Sequence, residues 1–470
     1  MPGLELVQTW LQERLPALLA EHQVPGAALA VAAGDEVIDV AAGVLSTATG
    51  VEATTDSVFQ IGSITKVWTS ALAMQLVDEG RLDLDAPVRS YVPEFRLADE
   101  TAAAAITVRQ LMCHTSGFEG DIFTDTGKGD DAVERYIDAL TEVGQLVPPG
   151  ERFSYNNAGF CVLGRVVEVL RGKPFDDCLR EHLFAPLGLT HAAPSPYEAI
   201  LHRAAVGHIQ PTPEADPQPA PVWALARSNG PAGSMLAMSA RDLVTFARMH
   251  IGAGAGPDGT RVLSDVSVRA MQQRQVELPP LGLMGDAWGL GWEIYDWPGG
   301  TVIGHDGNTI GQSALLRVVP SQNVAIALLT NGGSPISVYM ELFPRLLAEL
   351  AGVTMPPLPM PPDQRQPIDA QRYVGTYSSE VLELTVSQDV DGRVWLEMAP
   401  KGILAELGEQ PERIELVRLD GDTLVPTQAR HGLHAPHAFV GDDGSGRALY
   451  IHNGRATRRV PTQLPTLEAR

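Results

Sequence analysis

Six prolines fall within residues 352–368 (GVTMPPLPMPPDQRQPI), a density that neither a helix interior nor a central strand accepts. The stretch reads as a semi-rigid linker and divides the 470-residue chain into two folding problems. On its N-terminal side, residues 4–22 read as an amphipathic helix. Ala27–Ala33 and Val37–Ala42, hinged at Gly34-Asp35, read as a β-hairpin. Ser63 to Glu79 reads as a helix closed by Gly80, following a short strand over Val58–Ile61. From about 84 to 235, helices alternate with Pro/Gly loops, with helix candidates at 107–113, 132–144, 157–171 and 174–184. Ser239 is the expected N-cap of a helix over 239–251, with Asp242 completing a capping-box variant. The period then changes. Leu290–Tyr295, Thr301–His305, Ser313–Val319 and Val324–Thr330 read as an antiparallel meander, and 335–351 as a closing helix.

The expected architecture is therefore α/β. Residues 1–351 form an antiparallel sheet flanked by helices, with a helical insertion over about 84–235. Beyond the linker, residues 369–470 alternate short apolar runs with turns such as Asp391-Gly392, Asp420-Gly421 and Asp443-Gly444, which reads as a separate all-β domain, a small barrel.

Composition narrows the function. The formal charge of −23 disfavours nucleic acid and anionic membrane as partners. No window approaches the roughly 18 apolar residues of a membrane span, and the N-terminus (MPGLELVQTW) has no signal-peptide pattern. The expected location is cytoplasmic. Cys113, Cys161 and Cys178 have no metal-ligand spacing and read as buried reduced thiols. Only four of the 34 basic residues are lysines, so a lysine inside a motif is a rare event here.

One of those lysines stands in Ser63-Ile-Thr-Lys66, directly after Gly62. A spacing of three puts both side chains on one helical face, with the hydroxyl at a helix N-terminus where backbone N–H groups lack partners. A desolvated lysine can shed its charge and take the serine proton. The bland alternative is an N-cap serine beside a snorkelling lysine. Tyr155-Asn156-Asn157 is the only Y-x-N among nine tyrosines. A phenol can relay protons and an amide can bind a carbonyl; the alternative is a turn with a helix-capping asparagine. His305-Asp306-Gly307, followed by Asn308, ends a predicted strand whose backbone N–H could complete an oxyanion hole. H-x-G is common, and His452-Asn453-Gly454 is a second copy.

In the order S-x-x-K, Y-x-N, H-x-G, the chain resembles the serine β-lactamase and penicillin-binding-protein superfamily, most closely its class C branch. Pro25-Gly26-Ala27, His114-Thr115-Ser116-Gly117 and Asn229-Gly230-Pro231-Ala232-Gly233 add to the likeness, which spans about 4–350. Tyr373-Val374-Gly375-Thr376-Tyr377 and onward looks like the lipocalin-like barrel appended to some of these enzymes. The resemblance implies roles. Ser63 is the nucleophile of an acyl-enzyme, and Lys66 and Tyr155 share general-base and general-acid duty. Asn157 orients the acyl group, the N–H groups of Ser63 and Asn308 form the oxyanion hole beside Gly307, and His305 lines the pocket. No metal or organic cofactor is implied.

Three substrate classes compete. K-T-G enzymes use a lysine near the substrate carboxylate, where His305-Asp306 offers at most a weak cation beside an acid, a poor anchor for β-lactams or cell-wall peptides. An intracellular esterase or amidase is the second reading. The third, which leads, is a stand-alone penicillin-binding-protein-type thioesterase that closes a nonribosomal peptidyl thioester into a macrolactam; the appended domain fits it. Such an enzyme meets a peptidyl carrier protein, for which Arg455, Arg458 and Arg459 are the expected local basic patch; a solvated barrel edge is the alternative.

Overall fold

The computed structural model describes residues 3–210, 215–406, 410–430 and 432–461. They fall into two compact units. One comprises Met1–Arg152, Asn156–Leu278 and Gly285–Pro357; the other comprises Phe153–Tyr155, Pro279–Met284 and Leu358–Arg470.

The first unit is built on an eight-stranded antiparallel sheet. Its strands are β1 (Gly26–Ala33), β2 (Glu36–Gly43), β3 (Val276–Glu277), β4 (Ala287–Trp288), β5 (Glu293–Trp297), β6 (Gly300–Asn308), β7 (Ser313–Val319) and β8 (Val324–Thr330), in the order β2-β1-β8-β7-β6-β5-β4-β3. The two ends of the unit thus meet where β1 pairs with β8, Ala30 opposite Ala327. Alternation sorts the faces of these central strands. Leu29, Val31, Ile326 and Leu328 pack with α1 (Leu4–Glu21) on one side, and the closing helix, Pro335–Ala351, joins the same cluster. Ala28, Ala30, Ala32, Ala325 and Ala327 face the other side. Their small side chains let the helix over Ala240–Ile251 lie close to the strands. Ser239 Oγ accepts from Asp242 N at 3.1 Å and starts that helix as expected.

Next to it runs α2 (Thr65–Asp78), whose residues from Thr65 to Leu76 are all buried. A helix buried on every side is a central helix. Trp68 of α2 stacks on Phe246 with ring centroids 3.8 Å apart. Beyond α2 lies α3 (Asn157–Arg171), ended by Gly172 in the left-handed region at φ 68°.

Several boundaries depart from expectation. The helix expected over 132–144 stops at Asp138, where Thr141 Oγ1 bonds the Asp138 carbonyl at 2.8 Å. The run over 174–184 is α-helical at Phe175–Leu179 and then widens into a π turn at Arg180–Phe184. The strand expected at Leu290–Tyr295 begins only at Glu293, because Gly291 adopts φ 95°. Thr301–His305 extends through Asn308. The region over 84–235 is not purely helical: Ala192–Ala193 and Phe59–Gln60 both pair with Ala237–Met238.

In the second unit, eight antiparallel strands close a barrel: β9 (Gly375–Ser378), β10 (Leu382–Gln388), β11 (Val394–Pro400), β12 (Glu412–Asp420), β13 (Thr423–Pro426), β14 (His437–Val440), β15 (Tyr450–His452) and β16 (Ala456–Arg459). Closure joins β9 to β16 at Tyr377 opposite Arg459. The barrel is filled by Tyr373, Tyr377, Leu384, Leu396, Leu424 and Phe439. Residues 462–470, part of the expected β domain, lie outside the described residues.

Candidate active site

Ser63 sits in a 3-10 turn, Gly62–Ile64, that precedes α2 rather than in the α-helix itself. The tighter turn still leaves Ser63 one turn ahead of Lys66. Lys66 Nζ donates to Ser63 Oγ at 3.0 Å and to the Ala232 carbonyl at 2.7 Å. Lys66 is 0 % exposed, its ammonium 5.8 Å from the Phe160 ring centroid. A snorkelling lysine would reach water, so that alternative is excluded. The Ala232 carbonyl is delivered by a 3-10 stretch, Arg227–Ala232, whose Pro231 carbonyl accepts from Thr69 Oγ1 of α2 at 2.7 Å. This stretch and α3 fit closely, because a Cβ added at Gly164 would come 2.2 Å from Pro231.

Three glycines bring main chain against the serine. A Cβ at Gly307 would fall 1.9 Å from the Ile61 carbonyl oxygen and 2.9 Å from Ser63 N. At Gly62, with φ 52°, it would fall 2.5 Å from Asn308 N. At Gly233, with φ 114°, it would fall 2.9 Å from Ser63 N. Only glycine allows such approaches. They bring the backbone around Ser63 and Asn308 together, the pair from which an oxyanion hole can be made. Asn308 Oδ1 accepts from Ser313 Oγ at 2.7 Å, which anchors its side chain across the β6–β7 pair.

His305 is 1 % exposed, with Nδ1 2.7 Å from the Asp306 carbonyl oxygen and its ring edge-on to Trp288 at 5.4 Å. Burial holds its pKa down at about 3, and the Lys66 charge adds to the effect. It is therefore a neutral imidazole at physiological pH, within the limit of at most a weak cation read from the sequence. Asp306 is forked on Arg317, with N···O distances of 2.6 and 3.0 Å.

In the Y-x-N segment the helix-capping asparagine is Asn156, whose Oδ1 accepts from Gly159 N at 2.6 Å. Capping thus falls to the middle residue. Asn157 is buried and donates from Nδ2 to Asp121 Oδ1 at 2.8 Å. His114, at φ 57°, accepts the Asn156 N–H on Nδ1 at 2.9 Å, a bond that requires an unprotonated Nδ1.

Tyr155 belongs to the second unit with Phe153 and Ser154. Its N–H donates to the Gly454 carbonyl at 3.0 Å, and Ser154 Oγ accepts from Ala456 N at 3.1 Å. His452 Nε2 bonds the Phe153 carbonyl at 2.9 Å while Nδ1 accepts from Gly454 N at 3.1 Å. The second H-x-G copy is therefore a clasp on residues 153–155. The Arg455 guanidinium lies 5.1 Å from the Tyr155 ring centroid. Arg458 is exposed. Arg459 is half-buried and its guanidinium is engaged within the barrel: it donates to the carbonyls of Ala448 at 2.6 Å and Val374 at 2.6 Å, and bonds the Tyr377 hydroxyl.

Sequence reading missed Glu293, Tyr295 and Arg317. They sit singly in strands with no motif around them, and only the fold brings them behind His305.

Known proteins share this chain's family and fold. The Beta-lactamase family profile matches residues 11–350. Penicillin-binding protein 4 of Amycolatopsis lactamdurans is 49% identical over 371 residues, which is 78% of this chain and 97% of that protein. The crystal structure of SurE with D-Leu shares a TM-score of 0.76 at 30% identity, covering 96% of this chain and 99% of that one. A class C beta lactamase from Rhodobacter sphaeroides shares the fold at 22% identity and TM-score 0.59, covering 71% of this chain and 97% of its own.

Proposed function

This chain belongs to the β-lactamase family of serine hydrolases and acyltransferases, and on that premise we propose that it is a stand-alone penicillin-binding-protein-type thioesterase that releases a nonribosomal peptidyl thioester as a macrocycle. The observation that carries the chemistry is the 3.0 Å Lys66–Ser63 bond of a wholly buried lysine. Ser63 Oγ attacks the thioester carbonyl carbon as its proton passes to the Lys66–Tyr155 pair, taken by whichever of the two is deprotonated. The C–S bond breaks, and the thiol leaves with a proton returned through Lys66 and Tyr155. The peptide's own amine then attacks the Ser63 ester, forming the amide and restoring the hydroxyl. The Ser63 and Asn308 N–H groups hold the oxyanion in both steps, and Asn157 orients the acyl group.

The site's charge supports this donor class. With His305 neutral and Asp306 satisfied by Arg317, β6 presents no cation to a substrate carboxylate. The likeness to SurE runs through 96% of the chain and so includes the barrel, and the D-leucine in that structure supports a D-configured residue at the acyl end. Arg455 and Arg458 are the proposed contacts for substrate or an acidic carrier protein. Three free buried cysteines suit a reducing cytoplasm; among the described residues no helix is long and apolar enough to cross a membrane.

The test is mass spectrometry of products from a D-terminated peptidyl thioester surrogate. Cyclic product from wild type and none from Ser63→Ala is expected; linear acid alone places the enzyme among the esterases. A second reading, a penicillin-acylated enzyme, is favoured by the 49% identity to Penicillin-binding protein 4. Stable fluorescent-penicillin labelling at Ser63 without turnover of the thioester supports that reading over the first.

A further inference from the structure

Behind His305 lies a buried polar cluster that acyl transfer as described does not use. Glu293 of β5 is 3 % exposed, and Arg317 of β7 is 2 % exposed. Tyr295 donates its O–H to Glu293 Oε2 at 2.5 Å. Glu293 Oε1 is 3.9 Å from His305 Nδ1. The Arg317 guanidinium, forked on Asp306, lies 4.8 Å from the Tyr295 ring centroid and 5.1 Å from that of Tyr339 in the closing helix Pro335–Ala351. A Cβ at Gly304 would come 3.1 Å from the Arg317 side chain, so the strand leaves a channel for it. Such a cluster carries a desolvation penalty and is weak support for stability. Its place is informative: it grips β6 at His305 and Asp306, immediately before the Gly307-Asn308 backbone that meets Ser63.

Resting on the reading of Ser63 and Asn308 given above, we propose that Glu293 is a positioning residue that sets the His305-Asp306-Gly307 segment, and through it the Asn308 N–H, for acyl transfer. Every charged or titratable group facing Glu293 bears on how it does so. Tyr295 is on its own strand, His305 and Asp306 on β6, Arg317 on β7 and Tyr339 on the closing helix; Trp288, its partner in register on β4, carries no charge. Asp306 and Arg317 balance one another. An ionised Glu293 would add an unbalanced negative charge, and burial together with the Asp306 charge pushes its pKa up to about 8. The neutral carboxyl fits the cluster; its anion repels Asp306 and disturbs β6.

The experiment compares Glu293→Ala and Glu293→Gln with wild type in ester hydrolysis, normalised by active-site titration with a fluorophosphonate. In Glu293→Ala, kcat falls roughly 10–100-fold with KM nearly unchanged. A boronic acid, which forms a tetrahedral adduct on the serine, weakens by the same factor. In Glu293→Gln most of kcat returns near pH 7, and the falling alkaline limb of the wild-type profile disappears. Should Glu293→Ala not fold, the alkaline limb of Glu293→Gln decides alone. Wild-type kcat, boronate affinity and alkaline limb in both variants would overturn the proposal. Failure of the underlying reading looks different: fluorophosphonate would not label wild type at Ser63 at all.

Discussion

Lys66 Nζ and Ser63 Oγ are 3.0 Å apart, and the amine that makes this contact has no exposed surface. Its second bond, to the Ala232 carbonyl, fixes it from the far side. Replacing Lys66 by Met keeps the volume and removes the base. We expect kcat to fall by roughly 10²–10⁴-fold, with the circular dichroism of the wild type retained. Burst kinetics with a chromogenic ester checks both acylation and turnover, and a rate near wild type would remove Lys66 from the chemistry.

Gly307→Ala tests the backbone contact. The new methyl would sit 1.9 Å from the Ile61 carbonyl and 2.9 Å from Ser63 N, so β6 must retreat from the serine. A loss of roughly 10²–10³-fold in kcat is expected, matching removal of one oxyanion donor. Affinity for a ground-state substrate, read by isothermal titration on the Ser63→Ala background, should change far less.

Much of this was legible in the chain itself. Ser63 and Lys66 carry a spacing that survives any detail of helix geometry, and the meander after residue 290 was legible because its strands are short apolar runs separated by Gly, Pro and Asn. What escaped was non-local. Glu293 and Arg317 are charged residues in strands, which sequence logic sends to solvent; they are buried only because β5 and β7 flank β6. Arg459 looked like one of a basic run, yet its strand closes the barrel and turns its guanidinium onto main-chain carbonyls. Phe153–Tyr155 reads as loop between two helices, and nothing local announces that its hydrogen bonds go to residues 452–456, some 300 positions on.

Two buried carboxyls set a pH dependence of stability. Burial raises Glu168 to about 7 and Asp176 to about 6, against 4.5 and 3.8 ordinarily. Between those limits the folded chain holds protons that the unfolded chain has released, so this contribution to stability falls as pH rises from about 4 to about 7. Glu168→Gln should remove part of that slope. Urea midpoints of wild type and variant, measured across this window, should converge at low pH and separate, with the variant more stable, at high pH.

His250 works in the opposite sense. It is 1 % exposed, lies edge-on to Trp292 at 5.1 Å, and burial depresses it to about 3. The unfolded chain binds a proton there first, so stability is lost as pH falls from about 6.5 towards 3. His250→Phe should blunt acid unfolding; an unchanged acid midpoint would show that other groups set it.

For the barrel, Arg459→Met leaves the carbonyls of Ala448 and Val374 without their donor at the seam between β9 and β16. A loss of about 1–2 kcal/mol in that unit is expected, because the Ala448 carbonyl is part-buried while the Val374 carbonyl can turn to water. Hydrogen exchange of the β9 and β16 amides reads it directly.

The glycine contacts around Ser63 have a longer reach. Where a reaction's electrophilic help comes from peptide groups, and those groups are pressed together by residues lacking side chains, the chemistry is written in the main chain. Selection can then alter side chains that neither hold β6 nor take part in proton transfer while the main-chain donors stay as they were. Gly62, Gly233 and Gly307 are the positions that such change must leave alone.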